Sequence, residues 1–178
     1  ITVNFGSFKE YDMKNRFFNM NLAGGALLDI GVYALSIVRS FMTEKPADIV
    51  SQWKLSPAGS DEQAAILLKN KDGQMATVAL SLHSKQPKRA MISCEKGYIE
   101  IMEYPRADRA KIVDANTGEK KEISCGKTED ALFYEMTDME RAVESGDETE
   151  MYLNYTKDVM DLMTEFRKSW HFTYPEEE

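Results

Sequence analysis

The chain has 178 residues, 30 of them acidic against 22 basic, for a formal net charge of −8. That length suits one ordinary domain with a real hydrophobic core, and its basic residues are scattered rather than gathered on a stripe, which argues against nucleic acid as a partner. Cys94 and Cys125 match no metal-ligand spacing and form no disulfide framework, so no metal is expected and the default setting is reduced and cytoplasmic.

In chain order, "ITVNFGSF" reads as a strand that starts at Ile1 with no signal peptide and no initiator Met, and the expectation is a fragment of something longer. Next comes "LAGGALLDIGVYALSIV", residues 22 to 38, inside a helix predicted at about 24 to 41 and apolar almost all the way round. It falls short of the roughly 20 residues a bilayer needs and is interrupted by Asp29, Gly31 and Ser36, so it reads as a core helix rather than a membrane span. Pro46 blocks continuation of that helix. Seven short segments rich in β-branched and aromatic residues follow: "ADIVSQWKL", "EQAAILLKN", "QMATVALSLH", "RAMISCEK", "YIEIMEY", "AKIVDA" and "KKEISC". Asp72-Gly73 and the Asn116, Thr117, Gly118 stretch are turn sequences between strand pairs and predict antiparallel hairpins. Two closing helices complete the chain. The first sets Leu132, Met136, Met139 and Val143 on one stripe and stops at Gly146; the second, from about Tyr155, aligns Val159, Leu162, Met163, Phe166 and Trp170. The eleven methionines read as core filling. The acidic tail from Pro175 to Glu178 reads as solvated. With no repeat, low-complexity stretch or linker, residues 1–178 read as a single α+β domain: an open-faced, predominantly antiparallel sheet with helices on one face. An apolar second face would have to meet another domain or another copy of the chain.

Asp29 is the anomaly in the apolar helix, because a carboxylate in such surroundings is costly unless paired or hydrogen-bonded. Tyr33, four residues on, projects from the same helical face. Gly24 and Gly25 allow close approach at the helix start, where free N–H groups favour a polar oxygen, and Gly31 suggests contact with a neighbouring element. Two readings stay open on these residues alone. Either the helix lines a polar pocket, or Asp29 merely accepts hydrogen bonds from a buried Arg or from backbone while Tyr33 packs with its hydroxyl at the edge. Arg16 can pair with Asp29 or touch a cofactor phosphate. His83, at a strand end, is a further candidate, although a lone His is more often a satisfied structural residue; His171 reads as structural.

The stretch "LAGGALLDIGVYAL" resembles the signature of the second domain of the glucose-fructose oxidoreductase and inositol dehydrogenase (Gfo/Idh/MocA) family. "YDMKNRFFNMN", "KPADIV", "DEQAAILLKNKDGQMATVALSL", "CEKGYIEI", "FYEMTDMERAVESG" and "LMTEFRKSWHFTYPEE" fall in the family's order, so the resemblance spans essentially the whole chain. It implies a dihydrodipicolinate-reductase-like C-terminal domain that forms the substrate site and an oligomer interface, most simply a homodimer through the sheet. It also implies an N-terminal Rossmann domain that binds NAD or NADP, and hydride transfer at a CH–OH group of a sugar, polyol, cyclitol or dihydrodiol. Under the resemblance Asp29 orients substrate or the proton-transfer partner. Tyr33 falls where many members carry a catalytic histidine and where the glucose-fructose oxidoreductase and dimeric dihydrodiol dehydrogenase branches carry tyrosine. Ala23-Gly24-Gly25 stands where many members have three glycines. The glycine-rich dinucleotide loop is absent from this sequence, so the chain alone is expected to be inactive. Glu44-Lys45-Pro46 copies the family's catalytic Glu-Lys-Pro motif in letters only, since it follows the long helix inside the second domain and reads as a solvated turn. The alternative reading is a free-standing, non-catalytic binding or dimerisation module derived from that domain.

Overall fold

In the computed structural model, which describes residues 1–177, eight strands hydrogen-bond into one sheet in the order β2-β3-β4-β1-β5-β6-β7-β8. The strands are β1 (Thr2–Gly6), β2 (Asp48–Leu55), β3 (Asp61–Lys69), β4 (Met75–Ser81), β5 (Gln86–Cys94), β6 (Gly97–Met102), β7 (Arg109–Asp114) and β8 (Lys120–Ser124). All neighbours pair antiparallel except β1 and β4, which run parallel. The predicted strands and both hairpins are present. The placement of β1 is the addition that no local pattern announces: the first strand of the chain lies at the middle of the sheet, between β4 and β5.

The sheet has two unlike faces because side chains alternate along each strand. Ile66, Val78, Val3 and Ala90 are aligned across four strands and all buried. Against them pack the helix α1 (Val32–Phe41), through Ala34, Leu35 and Val38, and the helix α3 (Leu153–Ser169), through Val159, Leu162, Met163 and Phe166. The apolar run that contains α1 is therefore a core helix, as its sequence predicts. Gly31 meets the sheet as expected, since an added Cβ would come within 3.0 Å of Leu80 Cδ1. The opposite face carries Val50, Leu67, Thr77 and Thr2 in one aligned row and Gln52, Ala65, Ala79 and Asn4 in the next; among the described residues no helix covers Val50 or Leu67, which are exposed.

Two expectations change. The helix α2 (Ala131–Ser145) ends at Gly146 as predicted, but its stripe is not buried: Leu132, Met136, Met139 and Val143 are each more than half exposed, and Ala142 is the residue it buries. The methionines accordingly divide: Met42 and Met163 lie in the core, whereas Met13, Met75, Met136 and Met139 face outward. Within the acidic tail, Glu177 accepts an ion pair from Arg167, and Glu178 lies outside the described residues.

The C-terminal end of α3 is fixed by Trp170, whose ring stacks on Trp53 of β2 at 5.0 Å and 11° and whose indole N–H donates to Ser51 Oγ at 2.8 Å. Trp170→Ala removes a buried aromatic that closes this corner of the core. It should destabilise the chain by about 3 to 5 kcal/mol, measured by urea unfolding; a loss below about 1 kcal/mol would assign the corner to other contacts.

Candidate functional site

Tyr33 stands on α1 with its ring half exposed, 6.1 Å from the ring of Phe5 and inclined to it by 48°. It borders a cleft of about 920 Å³ that Phe5, Lys88 of β5, Glu100 of β6, Arg109 and Lys111 of β7, and Leu132 and Glu135 of α2 also line. Most of the charges there are already paired: Lys88 with Glu103 at 3.0 Å, Arg89 with Glu100 at 2.8 Å, and Lys111 with Glu100 at 3.9 Å. An apolar wall with compensated charges and one free phenol suits a neutral, hydroxyl-bearing molecule better than a strongly anionic one. Beside the cleft, Tyr104 packs edge-on to Phe5 at 6.1 Å, and burial pushes its phenol well above the usual range.

Asp29 is paired, but not with a buried Arg. Its side chain is nearly buried and forms an ion pair with Arg16, whose own side chain is 64% exposed and lies over the Phe17 ring. The partner of the helix carboxylate is therefore the arginine that precedes the glycines. Asp29 itself is not among the residues lining the Tyr33 cleft, and no hydrogen bond joins it to Tyr33 among the described residues.

The helix start differs from its sequence reading. Residues Leu27–Gly31 form a π-turn that runs directly into α1, a local widening that inserts one residue into the helical repeat and recurs at functional sites. The close approach that the glycines permit is taken up by the protein's own atoms. A Cβ on Gly24 would lie 2.5 Å from Arg16 O, and one on Gly25 would lie 1.9 Å from Asp61 Oδ1. Gly25 also has a φ of +139°, a backbone region that L side chains avoid. The polar oxygen expected at the helix N-terminus is likewise internal: Leu27 N–H donates to Asp61 Oδ2 at 2.6 Å. Gly24 and Gly25 thus shape the helix start rather than line the cleft, and a side chain 34 residues away supplies the cap.

His83 also departs from its reading as a site candidate. Its ring stacks on Tyr11 at 4.1 Å and its Nδ1 lies 2.8 Å from Lys9 O, so it anchors the segment after β1 and is not among the residues lining the Tyr33 cleft. The same anchor includes Tyr11, whose hydroxyl donates to buried Glu62 and is pushed up to about 12 by that bond, and Lys54, which donates to Glu62 at 2.9 Å. Lys45 is exposed in the turn after α1, as expected. No group of three His, Cys, Asp or Glu side chains forms a metal site among the described residues, and both cysteines are free and exposed.

The residue that sequence reasoning passed over is Asp61. It opens β3 in "SDEQAA", and its one available signal is an acid, beside Glu62, at the head of a strand whose middle is apolar. In the fold it is 1% exposed, and burial pushes its carboxyl up to about 6 against the opposing pull of the Leu27 and Ala26 N–H groups and of Arg167.

A family profile described as GFO/IDH/MocA C-terminal domain matches residues 1–100. Trans-1,2-dihydrobenzene-1,2-diol dehydrogenase of Mus musculus is 25% identical over 173 residues, covering 91% of this chain and 51% of that protein. The protein of the same description from Xenopus laevis is 31% identical over 100 residues, 56% of this chain and 30% of its own length. Among solved structures, aldose-aldose oxidoreductase from Caulobacter crescentus superposes with a TM-score of 0.74 at 20% identity, over 93% of this chain and 51% of that one. KijD10, a 3-ketoreductase from Actinomadura kijaniata in complex with NADP and TDP-benzene, gives 0.75 at 16% identity, over 92% and 51%. These structural likenesses show a shared fold. The chain spans about half the length, or less, of the relatives it matches.

Burial of Asp61 has a measurable sign. The folded chain holds the Asp61 proton up to about pH 6, whereas an ordinary aspartate releases it near 3.8. The neutral form is the one the fold favours, so the contribution of Asp61 to stability is greatest below pH 4 and is lost as pH rises to 6, by about 3 kcal/mol. The stability of the wild type minus that of Asp61→Asn should therefore fall between pH 4 and 7 in urea titrations. A difference that stays constant would return Asp61 to an ordinary carboxylate.

Proposed function

The chain belongs to the GFO/IDH/MocA C-terminal domain family, and from that premise we propose that it is the substrate-binding and dimerisation domain of an NAD(P)-dependent oxidoreductase acting on a CH–OH group of a sugar, polyol, cyclitol or dihydrodiol. The observation that carries this reading is the placement of Tyr33: a half-exposed phenol, backed by Phe5, at the rim of a cleft whose charged residues are mostly paired. The relatives named as dihydrodiol dehydrogenases and the sugar-active enzymes that share the fold support the substrate class.

The donor set of this chain suits a substrate hydroxyl rather than a dinucleotide. It offers a phenol and compensated charges, and the helix start that could receive a phosphate is filled by Asp61. NAD or NADP, held by an N-terminal Rossmann domain, supplies the site for the hydride. The task left to this chain is the proton. As hydride leaves the carbinol carbon, the proton on its oxygen must leave too; in this reading Tyr33 Oη takes it while passing its own proton to solvent, and in reduction the same hydroxyl donates a proton to the new alkoxide. Asp29, through its ion pair with Arg16, holds the segment before the glycines against the helix and orients the surroundings of Tyr33.

The exposed stripe of α2 fits the same reading. Four adjacent apolar side chains facing water are uncommon on a finished surface, and Leu132 from that helix borders the Tyr33 cleft. The N-terminal domain is the partner proposed to cover the stripe and close the cleft. The open sheet face around Val50 and Leu67 is proposed as the dimer contact.

In the complete polypeptide, Tyr33→Phe should leave the fold intact and slow turnover by roughly 10²- to 10⁴-fold. Asp29→Asn should raise KM, lower kcat or both. Because Arg16 is largely exposed, loss of the pair should cost less than about 1 kcal/mol of stability. Steady-state kinetics with thermal melts decide this, and a Tyr33→Phe enzyme with wild-type kcat and kcat/KM removes Tyr33 from catalysis. The isolated chain should scatter light as twice its 20.3 kDa and give no saturable heat with NADH or NADPH. A monomeric mass across micromolar concentrations overturns the sheet contact, and a micromolar cofactor site overturns the division of labour between the domains.

A further inference from the structure

The cleft, the anchor around His83 and the exposed α2 stripe are accounted for above; the buried carboxylate of Asp61 is not. It sits at the head of β3, outside the cleft, and touches the helix that bears Tyr33 at one point, its start. Asp61 Oδ2 accepts the Leu27 N–H at 2.6 Å, which is the first residue of the π-turn. Asp61 Oδ1 is buried without a hydrogen-bond partner among the described residues and occupies the space where a Gly25 side chain would stand.

The loop around that contact is tied on every side. Gly25 N–H donates to Phe17 O at 3.0 Å, Tyr174 hydroxyl donates to Gly24 O at 3.0 Å, and Asp29 N–H donates to Gly25 O at 3.1 Å. A π-turn places one extra residue in the repeat, so every residue after it is rotated by about 100° relative to a plain α-helix begun at the same cap. The direction in which Tyr33 points therefore depends on where the helix begins and on whether the π-turn persists. Both are set at Leu27. The alternative partners of a bare helix start, water or a shifted first turn, would allow the widened turn to relax.

Resting on the reading of Tyr33 given above, we propose that Asp61 is a positioning residue: its carboxylate pins the first N–H of the π-turn to the sheet and so fixes the rotation at which Tyr33 enters the cleft. It neither touches substrate nor moves a proton. Its oxygen Oδ2 caps the helix start, and its shape excludes any residue but glycine at position 25. The strand, the helix start and the phenol form one mechanical chain from β3 to the reacting oxygen.

The test uses the complete polypeptide with Asp61→Ala, Asp61→Asn, Tyr33→Phe and the double variant Asp61→Ala/Tyr33→Phe. Asp61→Ala should lower kcat by about 10- to 100-fold, with the dissociation constant for the reduced nicotinamide dinucleotide, read by fluorescence titration, unchanged. Asp61→Asn, whose amide oxygen still accepts from Leu27, should recover kcat to within about threefold of wild type. The double variant should be no slower than Tyr33→Phe alone, because Asp61 acts through that phenol. Should Asp61→Ala not fold, Asp61→Ser, with an oxygen too short to reach Leu27 N–H, replaces it in every comparison. Losses that multiply in the double variant, or a wild-type kcat in Asp61→Ala beside a slow Tyr33→Phe, overturn the positioning role and leave the role of Tyr33 standing. A wild-type kcat in Tyr33→Phe overturns both.

Discussion

A carboxylate withdrawn from water holds the start of the helix on which the site is built. Asp61 reaches from β3 to the Leu27 N–H, at the first residue of the π-turn Leu27–Gly31 that runs into α1, and its other oxygen occupies the space a side chain at position 25 would need. An isolated buried carboxylate is costly. Here the helix N-terminus offsets part of the cost, because its unpaired N–H groups and partial positive charge are the complement of an acid. The C-terminal segment closes over the same point, with Arg167 near Asp61 and Tyr174 bonded to Gly24 O. Residues from the start, middle and end of the chain thus converge on one helix terminus.

Much of the fold is legible in the sequence, for reasons that are local. The strands alternate because one face of the sheet is covered, which is why "DEQAAILLK" buries Ala64, Ile66 and Leu68 and exposes the residues between them. Turn chemistry sets the hairpins at Asp72-Gly73 and Asn116 to Gly118, and α3 buries the stripe its spacing describes. What escaped is non-local. A strand carries no mark of its eventual neighbours, so the central, parallel position of β1 is not written in its residues. The stripe on α2 has the same period whether it faces a core or another domain, and periodicity alone assigned it inward. The glycines signalled a close approach correctly, but not that a side chain far along the chain makes it.

In the site, Tyr33 and the Asp29–Arg16 pair were visible as chemistry out of place in an apolar helix, whereas the cleft itself was not. Its walls come from β5, β6, β7 and α2, and residues such as Lys88 and Glu100 look like ordinary surface charges until the sheet brings them together. His83 shows the converse. A titratable ring at a strand end is a natural candidate, yet its contacts in this chain are stacking on Tyr11 and a hydrogen bond with Lys9 O.

The middle position of β1 also governs the order of events as the chain forms. Strands β4 and β5 are consecutive in sequence, yet each pairs with β1 between them. The partners of β1 do not exist until residues 75–94 have been made, which at ~5–20 residues per second is a delay of several seconds during synthesis. Over that interval "TVNFG" is an apolar segment with both edges free. A direct β4-β5 hairpin is the competing local product, and it must be absent or reversible for β1 to insert. Gly6 and the break in register between Asn4 and Gly6 fall where β1 meets the beginning of β5, so the strand that completes the sheet carries an irregularity at the junction a premature hairpin would occupy.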